Sequence, residues 1–161
     1  MHYEIAWSPG KVYELVAHDG RALAGLVMEG SFWTPERSAT MSAGSRRWTA
    51  SRAGVFKHHF TLADDQGKVT SAENDAFYSC DLTLPIGSHV YRFQTRGWMI
   101  NYMTISEDNR DIVDVHNRWL RFWSNAGDAS FFTAAQPNET HLLAAMFGFY
   151  QLRVFEYSSS S

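Results

Sequence analysis

The feature that most constrains the fold is an apolar run near the C-terminus. Nine consecutive residues, Leu142 to Tyr150, carry neither a charged group nor an amide. Pro137 and Asn138 supply a stop and an N-cap just before it, and this pattern predicts a helix over Glu139–Phe149. A helix that is apolar on every face has to be enclosed by protein. The alternating residues from Gly148 onward leave a final strand after this helix as a second possibility.

The rest of the chain indicates β-structure, because short segments alternate apolar and polar residues with a period of two. The clearest segments are KVYELVA, ALAGLVM, RRWTAS, KHHFTLA, YSCDLTL, HVYRFQT, WMINYMTIS, DIVDVH, RWLRFW and SFFTAA. Three connections contain acidic turn residues, around Asp19, Asp65 and Asp108, and each predicts a hairpin. Their spacing of 46 and then 43 residues suggests a weak internal repeat. The common use of Asp and Gly in β-turns explains the same pattern without a repeat.

These segments predict a mainly β fold, in which about twelve antiparallel strands close into a barrel around the hydrophobic C-terminal helix. Closure removes the unpaired strand edges that an open sheet would expose, and the barrel wall supplies the enclosure that the helix needs. A chain of 161 residues matches one domain of ordinary size. We expect a single domain over residues 1–157 and a polar serine tail over residues 158–161.

The order of strand hairpins with acidic turns, followed by PNETHLLAAMFGFYQLRVF at the C-terminus, resembles the tubby C-terminal-like superfamily. This superfamily includes the LURP-one-related proteins and the phospholipid scramblases. The resemblance covers nearly the whole chain and implies a twelve-stranded barrel around a central hydrophobic helix. The chain departs from scramblases in lacking their proline-rich N-terminal region and their membrane-length C-terminal segment. Because no phosphoinositide-binding motif can be matched residue by residue, the resemblance implies fold more than activity.

Composition restricts the location and the partners. Cys80 is the only cysteine, so an internal disulfide is impossible, and the first residues lack the pattern of a secretory signal. No segment is apolar over the length of a membrane-spanning helix, since Arg153 and Glu156 end the C-terminal run. These observations favour the cytoplasm. The net charge of -3 argues against a nucleic-acid partner.

No motif points to catalysis, a cofactor or a metal. There is no G-x-S-x-G elbow, no phosphate-binding glycine loop and no HExxH pattern among the seven histidines. His58 and His59 are adjacent in a predicted strand, so their side chains point to opposite faces and do not readily share one ion. Cys80 alternates with leucines, which is typical of a small buried residue. The sequence therefore predicts a protein that is not an enzyme and that has neither a cofactor nor a metal site.

One charge feature suggests a binding surface. Residues 37–63 contain five Arg and Lys residues but neither Asp nor Glu. The predicted contact residues in this stretch are Arg46, Arg47, Arg52 and Lys57. Such cations attract a phosphate-bearing ligand or an anionic lipid headgroup. The alternative is a solvated surface whose charges pair with acids from elsewhere in the chain.

Three functional hypotheses remain open. The preferred one is a non-catalytic barrel that acts as an interaction module, with an anionic ligand, a membrane surface or another protein as its partner. The second is a lipocalin-like carrier of small molecules, which requires a hollow barrel. The third is an enzyme on a β scaffold, which requires a pocket with a catalytic constellation. Trp98, Trp119 and Trp123 are expected to pack in the core or at its rim rather than bind a ligand.

Overall fold

The computed structural model describes residues 1–9, 12–29, 38–53, 59–73, 81–96, 101–118 and 125–159. Within these ranges the chain forms twelve β-strands followed by one α-helix. The strands are β1 (His2–Ser8), β2 (Val12–Val16), β3 (Ala22–Glu29), β4 (Ser38–Ala43), β5 (Arg46–Ala53), β6 (His59–Ala63), β7 (Val69–Glu73), β8 (Leu82–Ile86), β9 (His89–Arg96), β10 (Tyr102–Glu107), β11 (Arg110–Asn117) and β12 (Asn125–Phe131). The helix is α1 (Glu139–Ser159).

The twelve strands form one antiparallel sheet that curls into a nearly closed barrel. Consecutive strands pair with each other except β7 and β8, and β1 pairs with β12, so that the first and last strands lie side by side. The edges of the sheet, β7 and β8, contact each other, but the described residues show no hydrogen-bonded ladder between them. The mainly β barrel with a C-terminal helix is therefore confirmed.

The helix α1 lies inside this barrel. Every residue from Leu142 to Val154 is buried, as expected for a helix that is apolar on all its faces. Asn138 caps the first turn, where its Oδ1 accepts the backbone N–H of His141 over 2.8 Å. The possibility of a final strand from Gly148 onward is wrong, because the helix continues to Ser159, two residues into the predicted serine tail.

Large side chains fill the interior around α1. The ring of Phe147 lies edge-on to the rings of Phe60 and Phe93, with centroid distances of 5.8 Å and 5.2 Å. Gly148 lets the helix approach β10, since a Cβ atom there would lie 2.7 Å from Ile105 Cδ1. In the described part of the chain, the helix occupies the space that a lipocalin-like carrier would need for its ligand.

The arginine within the buried part of the helix has polar and aromatic neighbours. The Arg153 guanidinium donates to Asn117 Oδ1 over 3.1 Å and to the Tyr13 hydroxyl over 2.8 Å. It also lies 5.1 Å from the Tyr13 ring centroid and 5.7 Å from that of Phe149. Hydrogen bonds and aromatic faces offset the cost of burying a charge. No helix among the described residues is long and apolar enough to cross a membrane.

The three predicted hairpins are confirmed as β2–β3, β6–β7 and β10–β11. The turns between even-numbered strands and the odd-numbered strands after them lie at one end of the barrel, where α1 also begins. Gly44 in the β4–β5 turn illustrates this, since a Cβ atom there would overlap the Glu139 side chain. We call this end of the barrel the mouth. Predictions about Cys80 and about Trp98, Trp119 and Trp123 concern residues outside the described ranges.

Candidate functional site

Two clefts open at the mouth, on either side of the start of α1. The first cleft has a volume of about 300 Å³ and lies between β5, the β6–β7 turn and the β8–β9 turn. The residues that carry polar chemistry there are Arg46, Trp48, Asp64, Lys68, His89, Tyr91, Glu107 and His141. The second cleft, of about 580 Å³, lies along the β10–β11 turn and the segment that leads into the helix. Both clefts share Glu107, Asn138 and His141, so these residues form the wall between them.

Two imidazoles and two carboxylates meet at this wall. We call His89, Glu107, Asp108 and His141 the mouth cluster. His89 Nδ1 lies 2.5 Å from Asp108 Oδ2 and 3.3 Å from Glu107 Oε1. The other Glu107 oxygen, Oε2, is hydrogen-bonded to His141 Nε2. Glu107 therefore bridges the two histidines.

Strand register and a tight turn place these residues together. Glu107 is the last residue of β10 and pairs with Tyr91 of β9, two residues after His89. Asp108 and Asn109 form the β10–β11 turn with φ of 49° and 66°. Two consecutive left-handed residues are the geometry of a type I′ hairpin, which Asp and Asn tolerate better than most residues. His141 reaches the same point from the first turn of the capped helix.

The electrostatics of the mouth cluster are governed by its carboxylates. The hydrogen bond to Asp108 raises the pKa of His89, and the nearby charge of Glu107 adds to this effect. The same hydrogen bond from His89 lowers the pKa of Asp108, and a backbone hydrogen bond from Val90 adds to it. Burial raises the pKa of the Tyr91 hydroxyl, which is hydrogen-bonded to Glu107. The site thus favours a positive charge on or near His89.

The three predicted basic residues that the structure describes, Arg46, Arg47 and Arg52, do not form one patch. Arg46 and Arg52 lie on the inward face of β5, whereas Arg47 lies on its outward face and is exposed. Arg46 and Arg52 are six residues apart in the strand, or roughly 20 Å at the usual rise. Of these three described residues, Arg46 alone lines one of the two clefts at the mouth, where its guanidinium donates to Thr140 Oγ1. Lys57 lies outside the described residues.

A buried tryptophan lines the first cleft beside Arg46. Trp48 lies two residues further along β5, is fully buried and lines the cleft. Its indole N–H has no hydrogen-bond acceptor among the described residues. Buried donors in native proteins are usually paired, so this N–H is an exception among the described residues.

Sequence reasoning missed the mouth cluster because its members have no motif spacing. His89, Glu107 and His141 are far apart in the chain, and the β9–β10 register and the position of α1 bring them together. The sequence indicated only that the hairpin turn at Asp108 and the helix start after Asn138 each lie at an end of the barrel. It did not indicate that their side chains meet. No protein-family model, no curated protein and no solved structure matches this chain.

Proposed function

We propose that the protein is a non-catalytic binding barrel of the tubby C-terminal-like type, which binds the anionic group of a small ligand in the first cleft. The family part of this proposal is supported by the order of acidic hairpins and by a twelve-stranded barrel around a hydrophobic C-terminal helix. A chain with one cysteine is compatible with the cytoplasm, where phosphorylated metabolites and anionic lipid headgroups are available.

The position of Arg46 is the observation that carries the proposal. Its guanidinium is half-buried at the mouth, lines the first cleft and shares that cleft with Lys68 and the indole of Trp48. The N-terminus of α1 points to the same region, and a helix N-terminus favours negative charge. A phosphate or carboxylate group would receive hydrogen bonds from the guanidinium and lie in this positive field.

Neighbouring acids restrict what the ligand looks like. Asp64 and Glu107 also line the first cleft, so a polyanion would meet repulsion there as well as attraction. A ligand with one anionic group and a neutral or cationic remainder fits this mixed wall better than a highly charged one. Phosphorylated small molecules and zwitterionic lipid headgroups share this chemistry.

A pair of charge-neutralising variants on one strand tests the proposal. Arg46→Gln removes the cation from the cleft, and Arg47→Gln removes the adjacent cation from the outward face of β5. Binding of phosphocholine, and separately of vesicles containing phosphatidylcholine and phosphatidylserine, is followed by tryptophan fluorescence and co-sedimentation. We expect Arg46→Gln to weaken binding by about 10-fold to 100-fold, the usual effect of losing a hydrogen bond to a charged group. Arg47→Gln should change it by less than about twofold.

The two ligand forms separate a soluble ligand from a membrane. Binding of phosphocholine alone identifies a small-molecule site, whereas binding only to vesicles identifies a headgroup at a membrane surface. Melting temperatures of both variants serve as the control, because Arg46 also contacts Thr140. The proposal fails if the parent protein binds neither probe at low salt, or if both variants weaken binding equally. A protein partner would then become the leading hypothesis.

A second candidate, an enzyme on the same scaffold, is favoured by one observation. His141 and Glu107 are hydrogen-bonded to each other at the wall of a polar cleft. A carboxylate that orients an imidazole is a common arrangement for a general base. Hydrolysis of p-nitrophenyl acetate or p-nitrophenyl phosphate that is lost in His141→Gln would support this candidate.

A further inference from the structure

Three donor atoms of the mouth cluster converge on one point. His89 Nδ1, one carboxylate oxygen of Glu107 and one of Asp108 all lie within 4.8 Å of one another. They come from two different connections, since His89 begins β9 and the two acids lie at the β10–β11 turn. We propose that His89, Glu107 and Asp108 bind a divalent first-row transition-metal ion of the Zn²⁺ type, with His141 positioning Glu107.

The distances fit a metal with little rearrangement. Ligand bonds of about 2.0–2.2 Å place neighbouring ligand atoms roughly 3.3–3.6 Å apart in a tetrahedral site. The distance of 3.3 Å between His89 Nδ1 and Glu107 Oε1 already has this value. The distance of 2.5 Å between His89 Nδ1 and Asp108 Oδ2 would open by about 1 Å as the ion takes the place of the Nδ1 proton. Both of these side chains are about half exposed and have room to adjust.

The fold orients each carboxylate through its other oxygen. Asp108 Oδ1 accepts the backbone N–H of Val90 over 2.9 Å, which leaves Oδ2 towards His89. Glu107 Oε2 is held by His141, which leaves Oε1 towards His89. The hydroxyl of buried Tyr91 is also hydrogen-bonded to Glu107. Hydrogen-bonded ligating carboxylates are usual in metal sites, where such partners orient the ligands and tune the ion.

The carboxylate of Asp108 differs from those of the other acidic turns. Asp19 Oδ1 accepts the backbone N–H of Arg21, and Asp64 Oδ1 accepts the backbone N–H groups of Gln66 and Lys68, all within their own turns. The Asp108 carboxylate is instead hydrogen-bonded outside its own turn, to the backbone N–H of Val90 and to the His89 ring in β9. Turn formation alone accounts for the first two aspartates but not for the direction of the third.

The donor set selects the class of metal. One imidazole nitrogen and two carboxylate oxygens suit Zn²⁺, Mn²⁺, Fe²⁺ or Co²⁺, whereas soft Cu⁺ prefers thiolates and thioethers. Two carboxylates balance the charge of a divalent ion. Three protein ligands leave at least one coordination position open, and the exposure of His89 and Asp108 gives water or a ligand access to it.

Zn²⁺ titration of the full-length chain after EDTA treatment tests the inference, with isothermal calorimetry for affinity and Co²⁺ absorption for coordination. We expect one ion per chain. His89→Ala and Asp108→Asn should each weaken binding at least about 100-fold through loss of a ligand, and His141→Gln about 10-fold to 100-fold through loss of an outer partner. Asn at position 108 also tolerates the left-handed turn, so this variant should fold even if another does not.

A histidine outside the mouth cluster provides the matched control. His116 Nδ1 lies 3.9 Å from Asp128 Oδ1, and the His116 side chain is 47% exposed, close to the 51% of His89. His116→Ala should leave Zn²⁺ affinity within about twofold of the parent value, since surface substitutions away from the site change little. The proposal is overturned if the parent protein binds no Zn²⁺ at about 1 mM, or if His116→Ala weakens binding as much as His89→Ala. Since no anionic ligand is added, this result is independent of the proposed anion site.

Discussion

Removing the ring of Phe147 should cost several kcal/mol of stability if α1 is the core of the barrel. Phe147 is fully buried on the helix and lies edge-on to the rings of Phe60 in β6 and Phe93 in β9. These two strands lie on opposite sides of the two sheet edges, β7 and β8. A buried Phe→Ala change usually costs about 3–5 kcal/mol. Edge-to-face pairs add about 0.5–1.5 kcal/mol each beyond burial, so Phe147→Ala should lie near the upper end, at about 4–5 kcal/mol.

Urea denaturation followed by circular dichroism measures this loss. With an m-value of about 2 kcal/mol per molar urea, the transition midpoint should fall by about 2 M. Phe132→Ala is the matched control, because Phe132 is 58% exposed and the same change there should cost less than about 0.5 kcal/mol. If Phe147→Ala is too unstable to measure, Phe147→Leu should show a smaller loss in the same direction. Equal losses at the two positions would refute the central position of the helix.

Three further perturbations probe the same architecture. Gly148→Ala should lower the free energy of unfolding by about 1–2 kcal/mol, because overpacking against Ile105 exceeds the gain in helix propensity. A thermal melt with unchanged or higher stability would contradict the close approach of α1 to β10. Asn138→Ala should cost about 1 kcal/mol through loss of the N-cap, while Asn138→Asp should retain most of the stability, and equal losses would argue against the cap. Leu143→Asp should cost several kcal/mol, as expected for an unpaired carboxylate in a dry core, and a cooperative melt close to that of the parent would place this residue at a surface.

Local patterns in the sequence were sufficient to predict most of the fold. The helix start follows from Asn138 and the apolar run after it, and the hairpins follow from acidic turn residues between alternating segments. The end of the helix was harder to predict, because the residues from Gly148 onward alternate as a strand would. Burial inside the barrel favours helix there, since α1 satisfies its backbone internally and needs no strand partner.

The candidate site depended on information that a single sequence does not display. The mouth cluster depends on a strand register that pairs Glu107 with Tyr91 and on the depth at which α1 enters the barrel. By contrast, the placement of Arg46 and Arg47 on opposite faces of β5 could have been predicted from the sequence. Adjacent residues of a strand point to opposite faces, which predicts that only one of Arg46 and Arg47 faces the barrel interior.

Anomalous X-ray scattering from crystals grown with Zn²⁺ tests the proposed metal site at the mouth most directly. Data collected above and below the zinc absorption edge should give the strongest anomalous peak between His89 Nδ1 and the carboxylates of Glu107 and Asp108, at about 2.0–2.2 Å from each ligand atom. Crystals of Asp108→Asn should lose that peak and keep the fold. A map with no peak at the mouth, or with its main peak at His116 and Asp128, would contradict the metal site.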